Sequence, residues 1–268
     1  MARSLDEMID LHSHILPGVD DGPQGLDESV AMCRLAAADG CTAMVATPHQ
    51  RRGEWWNADR EHLADLAGEI QAKVGPGFRV LLGGEIHVDS ELLSEVEKLP
   101  EGGILPLAGS RYLLIEFSSN GNPTEGIHLV HELVVAGWTP VVAHPEFIPW
   151  LAPDPELMAR LVSLGARVQV TAMSVTGDFG RRPQADTFAL LEAGLVHFVA
   201  SDSHGIRRRP PGLRRARRVI ADRWGQELAR RLVEDNPRAV VEDRPLPEWQ
   251  GDLSEGLPEE SPAAPEPR

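Results

Sequence analysis

Short apolar runs alternate along the chain with longer segments in which apolar positions recur every three or four residues. The short runs are typical of strands buried on both faces of a parallel sheet, and the longer segments are typical of helices that cover such a sheet. The seven predicted strands begin with the run from Met8 and continue over residues 42–47, 78–82, 112–115, 139–143, 167–170 and 197–200. The predicted helices cover residues 26–39, 59–74, 124–136, 155–164, 184–193 and about 212–234.

This alternation predicts an α/β fold in which the helices lie outside a parallel sheet. A chain of 268 residues is an ordinary length for a single β/α barrel. We expect one domain over residues 1–241, whose last helix is stopped by Asn236 and Pro237. Residues 242–268 hold six prolines, eight acidic residues and few large apolar residues, which predicts a disordered acidic tail.

Histidine, aspartate and glutamate residues follow at least six of the predicted strands, at the points where these strands end. The first strand presents His12 and His14, which lie two positions apart and therefore on one face. A Pro-Gly turn follows, so that Asp20 or Asp21 can reach back toward the same cavity. A His-x-His pair alone is more often a pair of hydrogen-bonded loop histidines than a pair of metal ligands. The recurrence at successive strand ends favours a site, because these ends form one face of a β/α barrel.

The candidate site residues comprise five imidazoles and four carboxylates, with no thiolate. They are His12, His14, Asp21, His49, Glu85, Glu116, His144, Asp202 and His204. This donor set favours Zn, Mn or Fe and excludes the thiolate-rich structural zinc sites. Nine donors are too many for one ion, so we expect two or three metals that share carboxylates. Such sites promote hydrolysis by activating a bound water and by holding the oxygens of the substrate.

Charge and composition exclude several classes of partner. The formal net charge of -15 argues against a nucleic-acid partner, although an anionic small substrate remains compatible with it. Two cysteines, Cys33 and Cys41, are too few for a disulfide scaffold and indicate a reducing cytoplasm. No apolar stretch approaches the roughly 20 residues of a membrane span, and the first residues lack the apolar core of a signal peptide. We therefore expect a cytoplasmic protein without membrane insertion.

Seven motifs together resemble the polymerase-and-histidinol-phosphatase (PHP) superfamily, and within it the manganese-dependent bacterial protein-tyrosine phosphatases of capsule and exopolysaccharide loci. The motifs are Asp-x-His-Ser-His-Ile-x-x-x-Val-Asp-Asp-Gly at 10–22, Ala-Thr-Pro-His at 46–49, Gly-Glu-Ile at 84–86, Ile-Glu-Phe at 115–117, Ala-His-Pro-Glu at 143–146, Gly-Asp-Phe-Gly-Arg at 177–181, and Ala-Ser-Asp-Ser-His with a later Arg-Pro-Pro within 200–211. The resemblance covers about residues 8–221. It implies the PHP fold, a distorted seven-stranded (β/α)7 TIM-like barrel that holds metal ions.

The resemblance also implies how the metals are held. On the family pattern His12, His14, Glu85 and Asp202 surround one metal, Glu116 and His144 with the bridging Glu85 a second, and Asp21, His49 and His204 a third. Asp21 is preferred to Asp20 from the family pattern alone. The implied cofactor is Mn2+, as two or three ions, with Fe or Zn as alternatives. The implied catalytic residues are Asp202, His204 and Arg209.

The chain departs from the family pattern at one position. These phosphatases usually place a phosphate-binding arginine after His-Pro-Glu, and this chain has Phe147 there. The second such arginine corresponds to Arg209, and Arg181 or Arg182 could substitute for the first. Trp55 and its neighbour Trp56 could wall a pocket for an aromatic substrate or pack on the rim of the barrel.

The expected function is that of a metal-dependent phosphomonoesterase, in which a metal-bound hydroxide attacks phosphorus. By resemblance it is a protein-tyrosine phosphatase whose partner is a phosphotyrosine protein, a bacterial tyrosine kinase of polysaccharide biosynthesis. Two alternatives stay open at this point. One is a phosphatase for a small metabolite such as histidinol phosphate or a sugar phosphate, which Phe147 makes more plausible. The other is a metal-binding module with weak catalysis that uses its acidic tail for contacts.

Overall fold

The structure is a computed structural model that describes residues 7–99, 101–152 and 154–248. Its centre is built of nine parallel strands or strand segments. They are β1 (Met8–Ser13), β2 (Cys41–Ala46), β3 (His49–Gln50), β4 (Arg79–Leu82), β5 (Glu85–His87), β6 (Tyr112–Glu116), β7 (Thr139–Ala143), β8 (Arg167–Thr171) and β9 (Phe198–Ala200). The predicted α/β class with a parallel sheet is therefore confirmed.

The strands form two hydrogen-bonded sheets. One has the order β1-β2-β4, and the other has the order β3-β5-β6-β7-β8-β9. Within the described residues these sheets do not close into one hydrogen-bonded barrel of seven strands, so the predicted distorted seven-stranded (β/α)7 barrel is not confirmed. Two short segments that were not predicted as strands, β3 and β5, follow β2 and β4 after brief interruptions and belong to the other sheet.

Beyond the regular strands, contacts join the first strand to the end of the last. Ser13 forms an isolated parallel bridge with Ser203. The backbone N–H of His14 donates to the carbonyl of Ser203 at 2.8 Å, and Oδ1 of Asp10 accepts from the N–H of Ser201 at 2.9 Å. These bonds bring the carboxyl ends of β1 and β9 together, and the candidate site lies there.

Residues that alternate along the strands enter two different apolar clusters. In β6, for example, Leu113 and Ile115 pack in the larger cluster beneath the helices, whereas Tyr112 and Leu114 pack in a smaller central cluster. Both faces of this strand are therefore buried, which explains why the strand segments appear in the sequence as continuous apolar runs.

Ten α-helices cover the strands in the described part of the chain. They are α1 (Leu26–Asp39), α2 (Arg60–Val74), α3 (Leu92–Val96), α4 (Pro123–Val135), α5 (Pro155–Ser163), α6 (Ala172–Thr176), α7 (Arg181–Glu192), α8 (Arg214–Trp224), α9 (Gln226–Arg230) and α10 (Asn236–Val241), with a π-helical turn at Arg231–Asp235. The prediction of a helix over residues 26–39 is confirmed. None of these helices is long and apolar enough to cross a membrane.

The prediction of one helix over residues 212–234, stopped by Asn236 and Pro237, is wrong. The helix α8 ends at Trp224, because Gly225 adopts a φ of 95° that a continuing helix does not allow. Pro237 then lies in the first turn of α10. Helical φ and ψ angles continue from α9 through the π-helical turn into α10, so Pro237 does not end the helical run.

The first residues of the predicted tail lie against the domain. Asp243 pairs with Arg111 at 3.0 Å, and the carbonyl of Arg244 accepts a hydrogen bond from the hydroxyl of Tyr112 at 2.8 Å. Residues 249–268 lie outside the described residues. The predicted disorder of the tail therefore stays a prediction for that part.

Candidate metal centre

Seven of the nine predicted ligands lie near the carboxyl ends of strands or in the loops that follow, whereas His49 and Glu85 begin the short segments β3 and β5. The structure brings all nine into one cluster. Their ligand atoms form four overlapping groups, in each of which all atoms lie within 4.8 Å of one another. The groups are His14, Asp21, His49 and His204; His12, His144 and Asp202; His12, His14 and Glu85; and His49, Glu85 and Glu116. Their role as metal ligands stays a prediction.

Glu85 is the central carboxylate of the cluster and is buried. Its Oε1 lies 2.7 Å from Nε2 of His144, and its Oε2 lies 3.4 Å from Nε2 of His14. Oε2 also lies 2.7 Å from Nδ1 of His49, but it has no partner with hydrogen-bond geometry. Because an unsatisfied buried carboxylate oxygen is costly, this atom fits a metal ligand better than a structural hydrogen-bond acceptor.

Asp202 connects the cluster with Arg209. Its Oδ1 lies 3.4 Å from Nε2 of both His12 and His14, and its Oδ2 accepts a hydrogen bond from Nη2 of Arg209. Asp202 has a φ of 51° and His144 has a φ of 29°, values that are strained for residues other than glycine. Such strain costs about 1–3 kcal/mol and is typical of functional sites, where the surrounding structure holds it in place.

Two polar side chains hold the first histidine pair from behind. Nδ1 of His12 donates to Oε1 of Gln169 at 2.7 Å, and Nδ1 of His14 donates to Oδ2 of Asp20 at 2.7 Å. In both cases Nε2 faces the cluster. Metal-binding histidines commonly donate their other ring N–H to an outer partner in this way, and the partner fixes the orientation of the ring. Sequence reasoning missed Gln169, although a buried glutamine within an apolar strand was a usable signal, and it considered Asp20 only as an alternative ligand.

Opposite charges balance each other within the cluster. Burial alone would lower the pKa of His144, but the hydrogen bond and charge of Glu85 raise it to about 9. Burial alone would raise the pKa of Glu85, but the surrounding histidines, His12 foremost, hold it well below its usual range. A divalent cation binds neutral imidazoles, so its binding here would release protons.

A cavity of about 320 Å³ opens above the cluster. It is lined by Asp21, His49, Arg52, Glu85, Glu116, His144, Phe147, Phe179, Asp202, His204 and Arg209. A larger cavity of about 700 Å³ contains none of the nine predicted ligands, so the smaller one is the candidate active site.

Two arginines line this cavity from different loops. Nη1 of Arg52 lies 2.9 Å from Nε2 of His49 and 3.3 Å from Oε1 of Glu116, and Arg209 approaches from the loop after β9. The substitutes expected from the sequence, Arg181 and Arg182, do not line it. Sequence reasoning thus missed Arg52 as a site residue, since only folding brings it over Glu116.

The loop that carries Arg52 is held from several sides. Arg51, with a φ of 63°, pairs with Asp89 at 2.8 Å, and Trp55 stacks on His49 with ring centroids 5.1 Å apart. Trp56 contacts the guanidinium of Arg51 at 4.6 Å. Neither tryptophan lines the cavity, so both pack on the loop instead of forming a pocket wall.

Gln50, in β3, ties this loop to a neighbouring segment. Its Oε1 accepts from the backbone N–H of Leu105 at 2.8 Å, and its Nε2 donates to the carbonyl of Asn57 at 2.7 Å. The side chain passes so close to Gly84 that a Cβ atom there would lie 2.1 Å from Oε1 of Gln50. Any larger residue at this position, directly before Glu85, would have to displace the Gln50 side chain from its hydrogen bonds.

Neither cysteine belongs to the site. Cys33 and Cys41 are both buried, and neither lines the cavity. Burial raises the pKa of the Cys33 thiol to about 12, so it stays protonated at neutral pH. A thiolate nucleophile of the kind used in cysteine-dependent phosphatases is therefore excluded for Cys33.

Comparisons with known proteins agree with this geometry. The chain is 36% identical over 230 residues to the tyrosine-protein phosphatase YwqE of Bacillus subtilis (strain 168), which covers 85% of this chain and 89% of YwqE. It is 33% identical over 246 residues to the tyrosine-protein phosphatase CpsB of Streptococcus pneumoniae, which covers 88% of this chain and 99% of CpsB.

A solved structure from work on YwqE and CpsB, described there as unique metal-dependent tyrosine phosphatases, has a TM-score of 0.82 to this chain at 34% identity. The match covers 89% of this chain and 96% of that one. Residues 8–242 match the CpsB/CapC family of capsular polysaccharide synthesis. The chain therefore belongs to the CpsB/CapC family.

Proposed function

We propose that this protein is a metal-dependent phosphomonoesterase that acts on phosphotyrosine in a protein. The observation that carries the proposal is the cluster of five imidazoles and four carboxylates beneath a cavity that two arginines also line. The similarity to YwqE and CpsB supports the choice of phosphotyrosine. The partner we propose is a bacterial tyrosine kinase of polysaccharide synthesis, supported by the family match.

The donor set fits divalent metals, and we propose Mn2+ as two or three ions. His12, His14, Glu85 and Asp202 would hold one ion, Glu116 and His144 with Glu85 a second, and Asp21, His49 and His204 a third. The group of His12, His14 and Glu85 supports the first site, and the group that contains Asp21, His49 and His204 supports the third. For the second site the support is the 2.7 Å contact between His144 and Glu85 and the group that contains Glu85 and Glu116. When bound, such ions supply an activated water and positive charge toward phosphate oxygens.

The side chains around the cavity then bind and orient the substrate. Arg209 and Arg52 would each hold oxygens of the phosphate through charge-assisted hydrogen bonds. Asp202 orients Arg209 through the hydrogen bond to Nη2, while Nη1 of Arg209 lies 3.3 Å from Nε2 of His204. Arg52 would thus supply the cation that Phe147 does not.

Two further proposals concern the frame of the site. We propose that both sheets together form the distorted seven-stranded barrel, with the contacts of Asp10, Ser13 and His14 to the end of β9 as the support. We also propose that the protein acts in the cytoplasm, where two buried cysteines without a disulfide are expected.

The test is the initial rate of phosphate release from a phosphotyrosine peptide and from histidinol phosphate. Metal-stripped protein is assayed alone and after addition of Mn2+, Fe2+ or Zn2+. Metal-dependent turnover of the peptide supports the proposal. Turnover of histidinol phosphate alone would assign the protein to small metabolites instead, and turnover of neither substrate by metal-loaded protein would reject the phosphatase function for both.

A further inference from the structure

One wall of the cavity is apolar although the rest is charged. Phe147 and Phe179 form this wall, which we call the phenylalanine wall. The large hydrophobic side chains exposed in the described part of the chain are Leu35, Trp56, Val135, Phe147 and Ile206. Of these, Phe147 alone lines the cavity, and it is 40% exposed.

The wall spans the distance between the metal cluster and Arg209. The ring of Phe147 packs edge-on against that of Phe179 with centroids 5.3 Å apart, and it lies 5.9 Å from the ring of His144. The guanidinium carbon of Arg209 lies 5.8 Å from the centroid of Phe179. An apolar surface therefore begins beside a predicted metal ligand and ends at a predicted phosphate contact.

This arrangement fits a ligand whose apolar part begins directly next to its phosphate. In an aryl phosphate the ester oxygen is bonded to the ring itself, so a flat apolar group starts one bond away from the anion. An alkyl phosphate such as phosphoserine presents tetrahedral carbons there and offers no ring for edge or face contact. Aromatic pairs at such distances contribute beyond the area that they bury.

We propose that the phenylalanine wall binds the aromatic ring of the substrate and makes the site selective for aryl over alkyl phosphate monoesters. The inference rests on the proposed phosphatase function, which it deepens by assigning the selectivity to Phe147 and Phe179. Phe147 thereby has a role of its own in this chain, distinct from phosphate binding.

The test uses binding as well as turnover. Phenylphosphonate and methylphosphonate, which share the anion but differ in the ring, are titrated into Mn-loaded full-length protein by calorimetry. We expect wild-type protein to prefer phenylphosphonate, and Phe147→Ala to weaken its binding roughly tenfold while leaving methylphosphonate unchanged. The ratio of kcat/KM for phenyl phosphate to that for glycerol phosphate should fall by the same factor.

Ile206→Ala is the matched control, because Ile206 is 39% exposed and near the site but does not line this cavity. This substitution should change neither the ratio of the two phosphonate affinities nor the ratio of the two kcat/KM values. Equal affinities of wild-type protein for the two phosphonates, or an equal loss for both in Phe147→Ala, would overturn the inference. If no ester is hydrolysed, the proposed phosphatase function is wrong. The phosphonate titrations would still show whether the phenylalanine wall binds an aromatic ring.

Discussion

Nε2 of His144 lies 2.7 Å from Oε1 of Glu85, although the two residues are 59 positions apart in the sequence. This contact joins the end of β7 to the start of β5 in the buried part of the cluster. Among the four predicted carboxylate ligands, Glu85 alone belongs to two of the four groups of ligand atoms. Its second oxygen faces His14 and His49.

Replacement of this shared carboxylate should remove metal and activity together. For Glu85→Gln we expect loss of at least one bound metal per chain and a fall in kcat/KM of roughly a hundredfold or more, because a neutral amide is a poor metal ligand. Elemental analysis of dialysed, Mn-loaded protein gives the metal content. Glu132→Gln, on the exposed face of α4, is the control. Full metal content in Glu85→Gln would contradict the assignment.

The two arginines of the cavity should affect substrate binding without affecting metal content. For Arg52→Gln and Arg209→Gln we expect kcat/KM to fall by about 10- to 100-fold, the equivalent of a lost charge-assisted hydrogen bond of about 1.5–3 kcal/mol. Inhibition by inorganic phosphate should weaken in parallel. Arg182→Gln should change neither value, because its side chain is 82% exposed and outside the cavity. An unchanged phosphate inhibition constant in Arg52→Gln would remove Arg52 from the site.

His197 should make the stability of the fold depend on pH. Burial and the nearby charge of Arg167 lower the pKa of His197 to about 3, and its Nδ1 accepts a hydrogen bond from the N–H of Val168 at 3.2 Å. In the unfolded chain the imidazole of His197 has a pKa near 6.5. The stabilisation of the folded state by neutral His197 is therefore fully present above pH 6.5 and is lost as the pH falls toward 3.

His197→Asn keeps an acceptor for Val168 but cannot be protonated. Between pH 7 and pH 4.5 the wild-type protein should therefore lose roughly 2–3 kcal/mol more unfolding free energy than His197→Asn. Urea unfolding of both proteins across this range measures the difference. Parallel pH profiles would show that another group causes the acid sensitivity.

Removal of residues 249–268 should leave the enzyme intact. The contacts of Asp243 and Arg244 with Arg111 and Tyr112 remain in a chain that ends at Glu248. We expect an unchanged Tm and unchanged turnover of phenyl phosphate. Loss of turnover in the shortened chain would show that the acidic segment contributes to activity. The functional domain would then extend beyond the boundary predicted near residue 241.

The sequence predicted the positions of the site residues because parallel strands end on one side of a sheet. His12, Glu85 and Asp202 could therefore be assigned to one cluster from their places after apolar runs. Arg52 could not, since its approach to Glu116 depends on the conformation of a loop in which Arg51 has a positive φ. Contacts through space of this kind leave no periodic pattern in the chain.

The strands and most helices were also predictable from the pattern of apolar positions, whereas the division of the strands between two sheets was not. Apolar runs identify buried strands, but they do not show where one strand leaves one sheet and continues in another, as happens around Gly83 and Gly84. The prediction for the last helical region is wrong because it took Pro237 as the end of the helix, whereas the break lies at Gly225 and helical structure continues past Pro237. Backbone geometry at single residues decided both cases.

The close approach of Gln50 to Gly84 limits which sequences can carry this site. Even the methyl group of alanine at position 84 would displace the glutamine amide that ties the Arg52 loop to Leu105. The displacement would act on His49 and Glu85, the neighbours of these two residues in the chain. Position 84 is therefore constrained by the packing of Gln50 beside the site, although it has no side chain and takes no part in the chemistry.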